Sequence, residues 1–174
     1  MNKILVVVDM QNDFITGALK NEQADKIADA VAEKIKNFDG MIYTTRDTHF
    51  ANYLNTSEGR HLPVVHCVKD TYGWELDDRI KRALVGKNTS DVQKIGFASN
   101  ELPIIIDCQY PNGDFEIEIV GVCTDICVVS NALMLKSRFP ENKISVCADL
   151  CAGTTPQAHD AAVTVMRSCQ IEII

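Results

Sequence analysis

The run Ile4-Leu5-Val6-Val7-Val8, closed by Asp9, decides the fold. Five consecutive apolar residues, four of them β-branched, describe a strand buried on both faces, as in a parallel sheet covered by helices on either side. Four more stretches read as strands from their β-branched content: Met41 to Thr45, Phe115 to Val122, Lys143 to Ala148 and Gln170 to Ile174. A sixth, short one is expected near Ser90 to Gln93.

The segments between them supply crossovers. Glu22 to Phe38 repeats Ala24, Ile27, Ala28, Val31, Ile35 and Phe38 at helical spacing, and Gly40 stops it. Ile126 to Phe139 sets Val129, Leu133 and Met134 on a common side and ends before Pro140, and Pro156 to Ser168 starts with a proline suited to a helix N-terminus. Leu76 to Leu84 is a further short helix. Glu101 to Tyr110 fits helix or strand by pattern and is placed as helix because parallel strands need crossovers. Strand and helix alternate to the last residue with no linker or repeat, so residues 1–174 read as one α/β domain with a mostly parallel sheet.

Composition narrows the function. The chain is 46% hydrophobic and 24% charged, which is ordinary globular material. A net charge of -7, with no clustering of Lys and Arg among aromatics, excludes nucleic acid as the expected partner. The first apolar run is too short for a signal or a membrane span, so the cytoplasm is the expected compartment and no membrane contact is expected. Seven cysteines scattered through apolar runs read as thiols rather than a disulfide framework.

Residues 46–75 stand apart. They carry Arg46, Asp47, His49, Asn52, Tyr53, His61, His66, Lys69 and Tyr72 with few helix or strand signals, and a long polar connection in a compact fold is usually functional. Asp47 and His49 form an Asp-x-His pair just past a strand. With His66 they offer one carboxylate and two imidazoles, a set that suits Zn, with Mn or Fe as alternatives, and leaves positions for water. Ordinary loop hydrogen bonds are the competing account.

Asp9 follows a strand directly, at the strand end where ligands bind in open parallel sheets. Cys127 lies within Gly121-Val122-Cys123-Thr124-Asp125-Ile126-Cys127, at the expected first turn of a helix, whose free N–H groups favour a thiolate and later an oxyanion. The other cysteines read as small buried apolar residues. Lys94 follows the sixth strand and can bring a cation to the acid and the thiol. No C-x-x-C pair, glycine-rich phosphate loop or G-x-S-x-G elbow is present. Asp149, at the end of a strand, is assigned to loop support.

Three segments in this order, Val8-Asp9-Met10-Gln11-Asn12-Asp13-Phe14, Lys94 ahead of Gly96-Phe97, and Gly121 to Val128, resemble the isochorismatase-like cysteine hydrolases, especially their nicotinamidase branch. The likeness spans essentially the whole chain. It implies a three-layer α-β-α, Rossmann-like fold on a six-stranded parallel sheet. It implies a catalytic set of Asp9, Lys94 and Cys127, a cis peptide at Val122-Cys123, and an oxyanion hole from the backbone N–H groups of Cys123 and Cys127. Asp47, His49 and His66 match that branch's metal ligands, and a homodimer or homotetramer is common in such proteins. Phe14 and Trp74 are the expected aromatic contacts of the substrate. The branch commonly has Trp-Pro just before the last histidine, whereas this chain has Leu62-Pro63-Val64-Val65-His66.

The expected activity is release of ammonia from a small primary amide, with nicotinamide the leading candidate. Another small amide or an N-carbamoyl compound is the alternative within the same chemistry, and a non-catalytic scaffold is the alternative outside it.

Overall fold

The computed structural model describes residues Met1–Ile174. Strands β1 (Asn2–Val8), β2 (Met41–Asp47), β3 (Thr89–Lys94), β4 (Phe115–Val122), β5 (Ile144–Ala152) and β6 (Glu172–Ile173) form one sheet in the order β3-β2-β1-β4-β5-β6. Every neighbouring pair is parallel. The continuous apolar run of β1 is explained by alternation. Leu5 and Val7 face one apolar cluster, while Ile4, Val6 and Val8 face the other.

Helices α2 (Glu22–Asn37) and α4 (Asp78–Leu84) cover the first face through Ala24, Ala28, Val31, Ile35, Ile80 and Ala83. Helices α5 (Leu102–Gln109), α6 (Val129–Arg138) and α7 (Pro156–Ser168) cover the second through Leu102, Ile106, Ala132, Leu135, Val163 and Met166. Two short helices, α1 (Asn12–Ile15) and α3 (Ser57–His61), lie in the connections after β1 and β2. Local chemistry sets the helix starts: Asn21 accepts from the N–H groups of Gln23 and Ala24, and Thr155 accepts from Ala158 ahead of Pro156. Ile35 is fully buried, so its truncation to alanine would cost about 2–5 kcal/mol. No helix is long and apolar enough to cross a membrane.

The segment Leu102–Gln109 is a helix, as crossover logic requires. Four expectations need correction. β5 does not stop at Ala148 but runs to Ala152 across an irregularity: Ile119 pairs with Val146 and Gly121 with Cys151, so residues 147–150 loop out of register. Asp149 therefore lies within the strand and not at its end. β6 is only two residues long, because Gln170 adopts a left-handed φ of 63° where α7 turns back to the sheet. The helix expected from Ile126 begins at Val129, after a π-helical turn at Thr124–Val128, and its buried side is Asn131, Ala132 and Leu135, with Val129 and Leu133 only partly covered.

Gly121 carries the close approach that places this turn. It sits opposite Val8 with φ of 121°, and a Cβ there would lie 2.2 Å from the Val8 carbonyl oxygen. Gly113 also has a positive φ, 68°, but a Cβ there meets nothing within 4 Å. Gly121→Ala is expected to destabilise the fold by about 3 kcal/mol or more, against about 1 kcal/mol for Gly113→Ala. Urea denaturation of the two variants measures the difference, and equal losses would show that β1 and β4 part without cost.

Candidate active site

The carboxyl ends of four adjacent strands meet where the strand order reverses between β1 and β4, the position at which open α/β sheets bind ligands. Asp9 follows β1, Asp47 ends β2, Lys94 ends β3, and Cys123 and Cys127 follow β4. All three proposed catalytic side chains come together here. Lys94 is 3% exposed, and its ammonium lies 2.7 Å from Asp9 Oδ2, 3.4 Å from Asp47 Oδ1 and 3.4 Å from Cys127 Sγ. It also donates to the Gly96 carbonyl at 3.1 Å. Asp9 takes a left-handed φ of 48° and accepts from Thr45 Oγ1 at 2.6 Å.

Burial and charge oppose one another among these groups. Burial pulls the Lys94 ammonium down, but Asp9, Cys127 and Asp47 outweigh it and hold it above the ordinary lysine range. Burial raises the Asp9 carboxyl against the pull of Lys94. Burial and then the Asp9 charge push the Cys127 thiol well up, with Lys94 only partly compensating. Burial is the largest of these influences on the sulfur.

The Cys127 turn is built from local irregularities. The Val122-Cys123 peptide is cis, and the π-helical turn brings the Val128 N–H to the Cys123 carbonyl at 3.0 Å. The Cys123 N–H has no acceptor within the protein. Thr124 Oγ1 lies 2.8 Å from His159 Nδ1, and Asp125 accepts from the Thr154 N–H at 2.8 Å. His159 thus supports this turn from α7.

Beside the thiol, Asp47, His49, His66 and Glu58 aim one ligand atom each at a common point, all within 4.8 Å of one another. His49 Nε2 is 2.9 Å from Asp47 Oδ2 and 3.6 Å from Glu58 Oε1; His66 Nε2 is 3.6 and 3.8 Å from the same two atoms. Ligands at about 2.1 Å around a tetrahedral ion stand ~3.4 Å apart. His49 Nε2 is buried without a hydrogen-bond partner. The His66 Nδ1 side bonds to the Val64 carbonyl at 2.8 Å, which leaves Nε2 for a ligand. The set fits a divalent metal cofactor. Glu58 escaped the sequence reading, although an acid nine residues past His49 in the polar connection was its available signal. Gln11 is fully buried. It donates to the Asp47 and Trp74 carbonyls and accepts from the Asp47 N–H, which fixes the ligand's backbone.

A cavity of ≈ 550 Å³ joins the two groups. Phe14, Leu19, Leu62, Phe97 and Ile126 supply its apolar wall, with Lys20, Asn21, His61 and Thr154 at polar positions and Cys123, Cys127, Asp47 and His66 also lining it. Phe14 lies where the sequence expects it, edge-on to His66 with centroids 5.7 Å apart. Trp74 does not. It is absent from the cavity wall, its indole donates to Thr48 Oγ1 at 2.9 Å, and the Arg46 guanidinium covers its ring at 3.7 Å. The cation–π contact and that hydrogen bond hold the indole away from the cavity. Phe97 is the second aromatic residue on the wall, and Leu62 stands in the segment that lacks the family tryptophan.

The chain matches the isochorismatase domain over residues 3–174. It is 26% identical over 176 residues to the nicotinamidase of Saccharomyces cerevisiae, covering 75% of this chain and 80% of that protein. The pyrazinamidase of Pyrococcus horikoshii, solved in complex with zinc, superimposes with a TM-score of 0.82 at 29% identity, over 100% of this chain and 99% of the other. The N-carbamoylsarcosine amidase of Thermoplasma acidophilum gives a TM-score of 0.81 at 25% identity, over 99% and 95%.

Wild-type protein is expected to carry about one divalent ion per chain, and the Asp47→Ala, His49→Ala double variant to lose it while remaining folded. Glu58→Gln should weaken the ion about 10–100-fold in a chelator competition. Elemental analysis after dialysis measures the first, and equal metal content in wild type and double variant would place any ion elsewhere.

Proposed function

This chain belongs to the isochorismatase family and is a hydrolase of small amides, and from that premise we propose that it releases ammonia from nicotinamide through a Cys127 thioester with zinc as the resident ion. The observation that carries the reading is the contact of buried Lys94 with both Asp9 and Cys127, the last of which lines a cavity whose wall also holds Asp47 and His66. A scaffold has no physical need to bury an ammonium, a carboxylate and a thiol against one another.

In the proposed mechanism Asp9 takes the Cys127 proton as sulfur attacks the amide carbonyl. The developing oxyanion accepts from the backbone N–H groups of Cys123 and Cys127. The proton held on Asp9 passes to the amide nitrogen, the C–N bond breaks, and ammonia leaves a thioester behind. Water then attacks the thioester with Asp9 as base, which frees the acid and returns the thiol. Lys94 keeps the negative charge shared by Asp9 and Cys127 tolerable in a buried site throughout. When bound, the ion supplies a Lewis-acidic point that orients a ring nitrogen or a water beside the carbonyl. Phe14 and Phe97 supply faces for a planar ring.

The N-carbamoyl alternative draws on the likeness to the Thermoplasma acidophilum enzyme and on the polar positions Lys20, Asn21, His61 and Thr154, which could receive a carboxylate. The free cysteines suit a reducing compartment, and the reading places the chain in the cytoplasm.

Ammonia release from nicotinamide, pyrazinamide, benzamide, aliphatic amides and N-carbamoyl amino acids tests these readings. Pyridine and pyrazine amides should turn over, benzamide should not, and Cys127→Ala should serve as the blank. Asp9→Asn should lower kcat by about 100-fold or more with the thiol retained. Turnover of N-carbamoyl compounds alone would replace the nicotinamide reading, and full rate in Asp9→Asn would move the base elsewhere.

A further inference from the structure

Asn131 is 1% exposed on the buried side of α6, next to Val128, Ala132 and Leu135. Packing alone would favour an apolar residue there, since a buried amide costs stability unless its hydrogen bonds are made. Asn131 makes them. Its Nδ2 donates to the Cys127 carbonyl at 2.7 Å and to the Phe97 carbonyl at 3.1 Å, and its Oδ1 accepts from the Ser99 N–H at 3.0 Å. Both amide hydrogens and the oxygen are engaged with main chain, from two separate segments.

One partner is the residue proposed as nucleophile. The other two belong to the connection between β3 and α5, whose Gly96 carbonyl accepts from Lys94 Nζ and whose Ser99 Oγ accepts from the Leu102 N–H at the start of α5. Lys94 Nζ in turn reaches Cys127 Sγ at 3.4 Å. The contacts close a ring: from the Cys127 carbonyl through Asn131 to residues 97–99, back along the chain to Gly96 and Lys94, and through the ammonium to the Cys127 sulfur. Backbone and side chain of the same cysteine are thus fixed against one segment from two directions. That segment also carries Phe97 into the cavity wall.

We propose that Asn131 is a positioning residue that holds the Cys127 turn in register with the Lys94–Ser99 segment, setting both the sulfur–ammonium contact and the Phe97 wall. The proposal rests on the reading of Cys127 as nucleophile. Asn131 touches no substrate and acts through its main-chain partners.

Two variants separate this role from a contribution to stability alone. Asn131→Ala removes all three bonds. Asn131→Ser keeps a hydroxyl able to donate to the carbonyl four residues back, that of Cys127, but cannot reach residues 97–99. At a temperature where both are fully folded by circular dichroism, each should lose about 10–100-fold in kcat. KM for a small amide should change by only about threefold, since the amide still enters the same cavity. Hydrogen exchange supplies a readout that needs no substrate. In Asn131→Ser the Ser99 and Val128 amides should exchange at least about 10-fold faster, with the interior amides of α5 and β1 unchanged. Wild-type kcat in folded Asn131→Ser would overturn the proposal, and so would unchanged exchange at Ser99 and Val128. If wild type shows no Cys127-dependent amide turnover, the nucleophile reading fails. The exchange experiment then still decides whether Asn131 joins the two segments.

Discussion

The buried ammonium of Lys94 is the constraint around which the carboxyl edge of the sheet is arranged. A cation at 3% exposure is tolerable only with charge and hydrogen-bond partners at contact distance, and Lys94 has Asp9, Asp47, Cys127 and the Gly96 carbonyl. Each partner comes from a different connection, so placing them around one nitrogen fixes the ends of β1, β2, β3 and β4 relative to one another. Burial and the Asp9 charge raise the Cys127 thiol, and the Lys94 ammonium works against them.

Asp47 links the two halves of the site. Oδ1 faces Lys94, and Oδ2 faces the histidine nitrogens. Its carboxyl is held below the usual carboxylate range: burial alone would raise it, but the close ring nitrogens of His49 and His66 and the charge of Lys94 outweigh burial. Gln11 clamps the Asp47 backbone on both sides, and Asp13 Oδ2 accepts from the Cys67 N–H at 2.7 Å, immediately after His66. The segment following β1 thus supplies Asp9 to one centre and outer support to the other.

The framework was readable because burial on both faces writes itself as an unbroken apolar run, and because Asp9 follows such a run directly, while Lys94 closes the short strand β3 and Cys127 lies five residues past β4. Asp47, His49 and His66 were readable as a ligand pattern in a polar connection. What escaped was what depends on side-chain direction. Glu58 has no fixed spacing to its co-ligands, and Gln11 and Asn131 act through bonds to distant main chain, which no local pattern encodes. Trp74 was misplaced for the same reason. An aromatic residue in the right stretch of sequence turns toward whichever partner satisfies it, and here Arg46 and Thr48 do so. The β5 irregularity and the π-helical turn were invisible because both lie where β4 meets its neighbours across the sheet, which no local pattern encodes.

The cavity wall draws on residues from position 14 to position 154, and no two neighbouring strands suffice to form it. Every pairing beneath it is parallel and therefore joins segments far apart in the chain. Such pairings incur their loop-closure entropy before contacts return it, which slows folding. A half-assembled sheet has the thiol but neither the ammonium beside it nor the wall above it. Recovery of chemistry during refolding therefore reports on the joining of distant segments along the carboxyl edge of the sheet, not on the birth of any local one.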